Sequence, residues 1–276
     1  MLTLVESLSL AGDRAKQNDD ACGAGFARAW VIDGATDLHE TPLTRSASDA
    51  AWFAHILNAL LHGAEGGDLR DAVRDSVSAA IYAFKNLTKG AAIERWRSPI
   101  ASLLFIEDFE GGVNGLDLGD CRIAALDAGG ASWMTGGPDD AADAEAKLAA
   151  QQTDADKPLL RREATIARLR EMRAALNQPG AHWTACLDPA CAEHARGWRL
   201  ELQRPAHVLL MTDGFSALVD RYHAYDAAGL VRAALHKGLQ ELGRELRAIE
   251  ASDSAGAKHP RFKQSDDATA VLLRLT

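Results

Sequence analysis

Three apolar runs in this chain each meet aspartate at one end. Ala29-Trp30-Val31-Ile32 runs into Asp33-Gly34, and Val208-Leu209-Leu210-Met211-Thr212 runs into Asp213-Gly214. The third is reversed, with Ser265-Asp266-Asp267 leading into Ala268-Thr269-Ala270-Val271-Leu272-Leu273. Apolar, partly β-branched runs of this length predict buried strands. A carboxylate fixed at the polar end of such a strand is a rigid mount for a hard divalent cation, and a following glycine lets the backbone turn sharply. One Asp-Gly alone is an ordinary turn dipeptide. Three strand-ends of this kind point to one shared metal site, and the chemistry they suggest is hydrolysis of phosphate esters.

Rival chemistries lack their residues. Cys22 and Cys121 are not followed by the Cys-x5-Arg loop of cysteine phosphatases. Asp33 is not followed by a second aspartate two positions on, as an aspartyl-phosphate enzyme requires, because Ala35 fills that place. Cys22, Cys121, Cys186 and Cys191 are expected to be free thiols. His182, Cys186, Cys191 and His194 have spacings zinc could use, but they lack the tight ligand pairs of common zinc sites and are expected to be packing residues.

The 276 residues suffice for one large domain with a real core, and 47% hydrophobic with 25% charged residues is an ordinary globular composition. A net charge of −9 disfavours nucleic acid or an anionic membrane as partner. No apolar run has the length of a membrane span, and the N-terminus lacks the basic start of a signal peptide, so a cytoplasmic location is expected.

The elements that must position the aspartates follow from periodicity. Strands are predicted at about 2–8, up to Asp33, at 102–107, 113–118, 121–127, 207–212 and 269–275. Trp52, Phe53, Ile56, Leu57, Leu60 and Leu61 form a helical stripe that Ser46 or Ser48 can cap and Gly63 can end. Asp68 starts a second helix with Leu69, Val73, Val77, Ile81 and Phe84 on one face. A helical region is predicted at 225–250. The short turns at Glu110-Gly111-Gly112 and Gly119-Asp120 predict antiparallel hairpins rather than helical crossovers. Residues of about 136–205 read as an insertion over the core. The class is α+β, a single domain over 1–276.

The order of these pieces resembles the metal-dependent protein phosphatase (phosphatase 2C) family, in the manner of its short bacterial members. Gln17-Asn18-Asp19-Asp20 is similar to that family's Asn-Glu-Asp element, with Asp19 for glutamate. Asp33-Gly34 matches its first Asp-Gly, and Leu118-Gly119-Asp120-Cys121-Arg122 its Gly-Asp-Ser-Arg turn, with cysteine for serine. Asp213-Gly214-Phe215 matches the later Asp-Gly, and Asp266-Asp267-Ala268-Thr269 the closing Asp-Asn-x-Thr. The resemblance implies two stacked antiparallel sheets flanked by helices. It implies a serine/threonine phosphoprotein phosphatase opposing a kinase, in which a hydroxide bridging two Mn2+ or Mg2+ ions attacks the phosphomonoester.

By the same resemblance Asp33 bridges both ions, the Gly34 carbonyl binds one, Asp213 and Asp266 complete the other, and Asp20 or Asp19 acts on the second. Asp120 would serve a third ion, but the family's further ligand for that ion is Ala217 here. The family's phosphate-gripping arginine falls on Ala15, leaving Arg14 and Lys16 as the flanking candidates. A histidine after the first Asp-Gly in many eukaryotic members is Ala35 here, so water or His39 is the expected acid. The alternative reading is a non-catalytic, metal-binding regulatory module of the same fold.

Overall fold

A computed structural model describes residues 1–64, 66–138, 141–150 and 163–276, with the backbone alone for 141–145. The remaining part of the segment read as an insertion lies outside the described residues.

Two antiparallel sheets stack face to face. One contains β1 (Leu2–Leu10), β11 (Ala268–Leu275), β10 (Ala206–Met211), β6 (Arg122–Leu126) and β7 (Ser132–Thr135), in that order. The other runs β2 (Asp20–Ala24), β3 (Arg28–Gly34), β4 (Ile100–Phe109), β5 (Gly112–Leu118) and β9 (Arg196–Glu201), with short β8 (Ala185–Cys186) also on β4. The two-residue period of a strand sorts their side chains. Val31, Leu104, Ile106, Ile123, Val208, Leu210, Val271 and Leu273 fill the space between the sheets. Their neighbours Trp30, Ile32, Leu103 and Phe105 point the other way, onto helices α1 (Asp49–His62) and α2 (Leu69–Leu87). Leu209, Met211, Ala270 and Leu272 meet α5 (Asp213–Asp220), α6 (Ala227–Lys237) and α7 (Leu239–Ser252). Strands buried on both faces read as continuous apolar runs, as those of β3, β10 and β11 do. The result is the expected pair of stacked antiparallel sheets between helix layers.

The helix signals act as predicted. Ser48 caps α1 by accepting from the Ala51 N–H at 3.2 Å, and Asp68 caps α2 by accepting from Asp71 at 2.8 Å. Helix α1 ends at Gly63. The region at 225–250 is two helices, split at Gly238, where φ is +83°.

Three features differ from the sequence reading. The Gly111 turn makes the expected hairpin of β4 and β5, but Gly119-Asp120 does not close one, because β5 and β6 belong to different sheets. It is the crossover between sheets, and Gly119 adopts φ +85° with no room for a side chain beside Ser102. Part of the segment read as an insertion is sheet, since β9 pairs with β5 and β8 with β4. The segment also includes α3 (Ala141–Ala150) and α4 (Glu163–Ala175), of which α4 projects to the loop after Asp33. Strand β2 and helix α5 were not foreseen. No helix among the described residues is long and apolar enough to cross a membrane.

Candidate metal centre

The aspartates gather where the two sheets share one end. Asp20 and Asp33 are register partners across β2 and β3, and Asp33 in turn faces Ser102 on β4. Asp213 opens α5 just after β10, and Asp266 stands two residues before β11. Asp120 lies in the crossover and accepts from the Ser102 hydroxyl at 2.6 Å. Asp33, Gly34, Asp120, Asp213 and Asp266 line one cavity of about 540 Å³.

The loops that carry them are clamped by local hydrogen bonds. Thr212, fully buried, donates from its hydroxyl to Asp20 Oδ2 at 2.9 Å and accepts from the Thr269 N–H at 2.9 Å. One side chain thus ties the end of β10, the start of β11 and β2. Asp267 is no cavity residue; its carboxylate accepts the Gly12 N–H at 2.7 Å and the Asp19 N–H at 2.6 Å. The two Asp-Gly glycines serve close approach, not a sharp turn. A Cβ on Gly34 would lie 2.5 Å from Asp19 O, and one on Gly214 only 2.0 Å from Asp267 O.

These carboxylates repel one another. Burial pushes the Asp33 carboxyl well above its ordinary range, and the charges of Asp213, Asp20, Asp120 and Asp266 push it further. Burial raises Asp20 as well, against the opposing hydrogen bond from Thr212. Asp19 is pushed up to about 6, chiefly by burial, with the Ser48 hydroxyl opposing. One cation already sits among them. Lys263 Nζ is 2.6 Å from Asp266 Oδ1, and although burial works against Asp266 ionising, Lys263 brings its carboxyl below the usual value. Both face the cavity and keep 32% and 40% exposure of their side chains.

The donor set fits divalent ions. Asp19 Oδ1 and Asp20 Oδ1 are buried and meet no protein hydrogen-bond donor among the described residues. A buried carboxylate oxygen without a donor is costly, and a hard cation is its natural partner. No three of these aspartates bring ligand atoms mutually within 4.8 Å; the one such group among the described residues is Asp37, His39 and Asp49. A divalent ion among these carboxylates would therefore take water for many of its ligands. In the Asp37 group, Asp49 is already hydrogen-bonded through both oxygens. Asp49 accepts from the Leu43 and Thr44 N–H groups and the Thr44 hydroxyl, each at 2.7 Å, and pairs with His39 Nε2 at 2.9 Å.

Not every expected residue joins the site. Arg14 and Lys16 are exposed on the loop before β2, and neither lines the cavity. His39 is turned to Asp49 and does not line it either. Lys263 escaped the sequence reading, although its spacing of three residues from Asp266 was a visible signal. Cys186 Sγ and Cys191 Sγ each contact a backbone oxygen, of Asp188 at 3.9 Å and of Cys186 at 4.0 Å, while His194 stacks on Trp183 at 3.7 Å.

The remaining wall comes from the projecting segment. Leu169, Met172, Arg173 and Leu176, in and just after α4, close over the aspartates together with Leu38, Ile100 and Phe262. Guanidinium groups pin α4 to the loop after Asp33. Arg170 donates to Leu38 O at 2.6 and 3.0 Å, and Arg173 to Thr36 O at 2.9 Å.

No protein-family model and no curated protein sequence matches the chain. Solved structures do match its fold. The serine/threonine phosphatase PstP/Ppp of Mycobacterium tuberculosis superposes with a TM-score of 0.59 at 18% identity, over 99% of this chain and 98% of that one. The serine/threonine phosphatase Stp1 of Staphylococcus aureus gives 0.57 at 14% identity, over 99% and 96%. The PPM Ser-Thr phosphatase MsPP of Mycobacterium smegmatis, in complex with cacodylate, gives 0.54 at 19% identity, over 99% and 100%. The PstP catalytic domain has also been solved with 2 manganese ions; it matches at a TM-score of 0.56 and 17% identity, over 99% of each chain. At these identities the likeness is one of fold, and it bears out the architecture that the motif order implied.

Proposed function

We propose that the chain is a metal-dependent phosphatase acting on phosphoserine and phosphothreonine in proteins, opposite a serine/threonine kinase. The observation that carries this is the gathering of the mutually repelling Asp33, Asp213 and Asp266 on one open cavity, backed outside its lining by the buried, donorless oxygens of Asp19 and of Asp20, the register partner of Asp33. Asp20, Asp33, Asp213 and Asp266, with the Gly34 carbonyl and Asp19, would hold two Mn2+ or Mg2+ ions. Asp120, engaged with Ser102, is the candidate for a third. When bound, such ions supply an activated water and compensate the charge of the phosphoryl group.

The chain's own residues do the rest. The apolar wall of Leu38, Ile100, Leu169, Met172 and Leu176 excludes bulk water from one side, which strengthens electrostatic interactions in the cavity. Thr212 and Asp267 fix the three loops, so the carboxylates are held before substrate arrives. With His39 committed to Asp49, the leaving alkoxide takes its proton from water.

The test is hydrolysis of p-nitrophenyl phosphate with and without Mn2+. Wild type should depend on the metal, and Asp33→Ala should be inactive with no trapped phosphoenzyme. A covalent intermediate would return the case to aspartyl-phosphate chemistry. One observation favours the second reading, a regulatory module without turnover: Lys263 already neutralises Asp266. Metal binding without hydrolysis would establish it.

A further inference from the structure

Arg173 is unlike the other arginines that pin α4. Arg170 gives two hydrogen bonds to Leu38 O and lies 4.1 Å over the Trp96 ring, so its charge is spread over partners. Arg95 donates to the carbonyls of Ala174, Leu176 and Asn177. Among the described residues Arg173 makes a single hydrogen bond, to Thr36 O, and no carboxylate there stands within ion-pair distance of it. A guanidinium carries five N–H donors in a fixed fork, so most of Arg173's donors are unspent. It lines the same cavity as Asp33, Asp120, Asp213 and Asp266. Its anchor, Thr36 O, belongs to the loop that begins at Asp33-Gly34.

We propose that Arg173, reaching in from α4, grips the phosphoryl group of the substrate, a task for which the N-terminal loop offers only the exposed Arg14 and Lys16. This rests on the phosphatase reading and adds to it the residue that holds the dianion. The electrostatics agree. Burial pulls the Arg173 guanidinium down to about 10, with Asp37 only partly offsetting it. A desolvated cation with unspent donors is a site awaiting an anion, and guanidinium with phosphate forms paired charge-assisted bonds. The opposed placement is also sound, because the floor of the cavity is anionic and the phosphate must be drawn from the other side. Lys263 is the nearer cation to the floor, but its ammonium is already hydrogen-bonded to Asp266.

The experiment uses the full chain loaded with Mn2+ and reads inorganic phosphate binding by calorimetry, alongside p-nitrophenyl phosphate kinetics. Arg173→Ala and Arg173→Gln should each weaken phosphate binding and raise KM by roughly ten- to a hundred-fold, with Mn2+ affinity unchanged. Arg173→Lys should recover part of the loss, while Arg14→Ala and Lys16→Ala stay within about twofold of wild type. Glutamine can still donate to Thr36 O but carries no charge, so a glutamine variant equal to wild type would reduce Arg173 to a tether and overturn the proposal. Phosphate binding within twofold of wild type in both neutral variants would also overturn it, as would a wild type that binds no phosphate. Arg173-dependent phosphate binding without hydrolysis would uphold this site and sink the catalytic reading instead.

Discussion

Asp20 and Asp33 face each other directly across the β2–β3 ladder, two carboxylates on the same face of adjacent strands. Like charges so placed oppose folding unless a cation joins them. The metal-free chain therefore carries strain that ligands for its function relieve. Asp33→Asn should raise the melting temperature of the metal-free protein and abolish most of the stabilisation that Mn2+ gives wild type, each kcal/mol being worth roughly 2–4 °C. Scanning fluorimetry with and without metal measures both. An equal Mn2+ shift in the variant would remove Asp33 from the site.

The same repulsion sets a pH dependence. Asp19, Asp20 and Asp33 hold protons more tightly folded than unfolded, so the native state binds more protons above the ordinary aspartate pKa of 3.8. Stability then falls as pH rises through that window. For Asp19 the window runs from 3.8 to about 6, and Asp20 and Asp33 add to the fall. Lys263, whose charge favours the ionised forms of Asp19 and Asp266, works against the trend, and Asp253, held at about 2, contributes constant stability across the window and loses it only below 3.8. Denaturant midpoints of the metal-free protein should drop between about pH 4 and 6. Saturating Mn2+ should flatten the curve, since metal keeps the carboxylates ionised. A metal-free midpoint that climbs with pH would contradict the placement of these charges.

Asp213 tests the chemistry without disturbing the frame. It sits at the start of α5, partly exposed to the cavity, and carries no sheet pairing. Asp213→Asn should cut Mn2+-dependent hydrolysis by roughly a hundred-fold or more while far-UV circular dichroism stays that of wild type. Full activity in that variant would show that the carboxylate is not needed.

Lys263 distinguishes the empty from the loaded site. Its ammonium offsets Asp266 and lies close enough to lower Asp19's pKa. Lys263→Met should lower the melting temperature of the metal-free protein more than that of the Mn2+-loaded one, because metal replaces the lost charge. Equal losses in both states would mean that Lys263 acts through packing alone.

How far the sequence reaches is clear from particular residues. Asp33, Asp213 and Asp266 were legible because each ends an apolar run, and buried strands announce themselves by composition. Ser48, Asp68 and Gly63 were legible as caps for reasons local to a helix turn. Strand β2, Asp20-Ala21-Cys22-Gly23-Ala24, has small residues and no alternation, so its pairing with β3 is a tertiary fact. The glycines were read as turn formers, yet Gly34 and Gly214 are required by backbones that approach from Asp19 and Asp267, distant in the chain. Gly119-Asp120 has the composition of a hairpin turn, and only the stacking of two sheets makes it a crossover. Arg173 carries no signal in the sequence that separates it from its neighbour Arg170; what sets it apart is that Arg170 spends its donors on Leu38 and Arg173 does not.

The most direct measurement is phosphate release from a phosphothreonine peptide by the full chain, first loaded with Mn2+, then stripped with a chelator, then reloaded. Release is expected with Mn2+, none after stripping, and recovery on reloading, with Asp213→Asn silent throughout. Release that persists after exhaustive chelation, or a loaded wild type no more active than Asp213→Asn, would contradict the metal-dependent phosphatase reading.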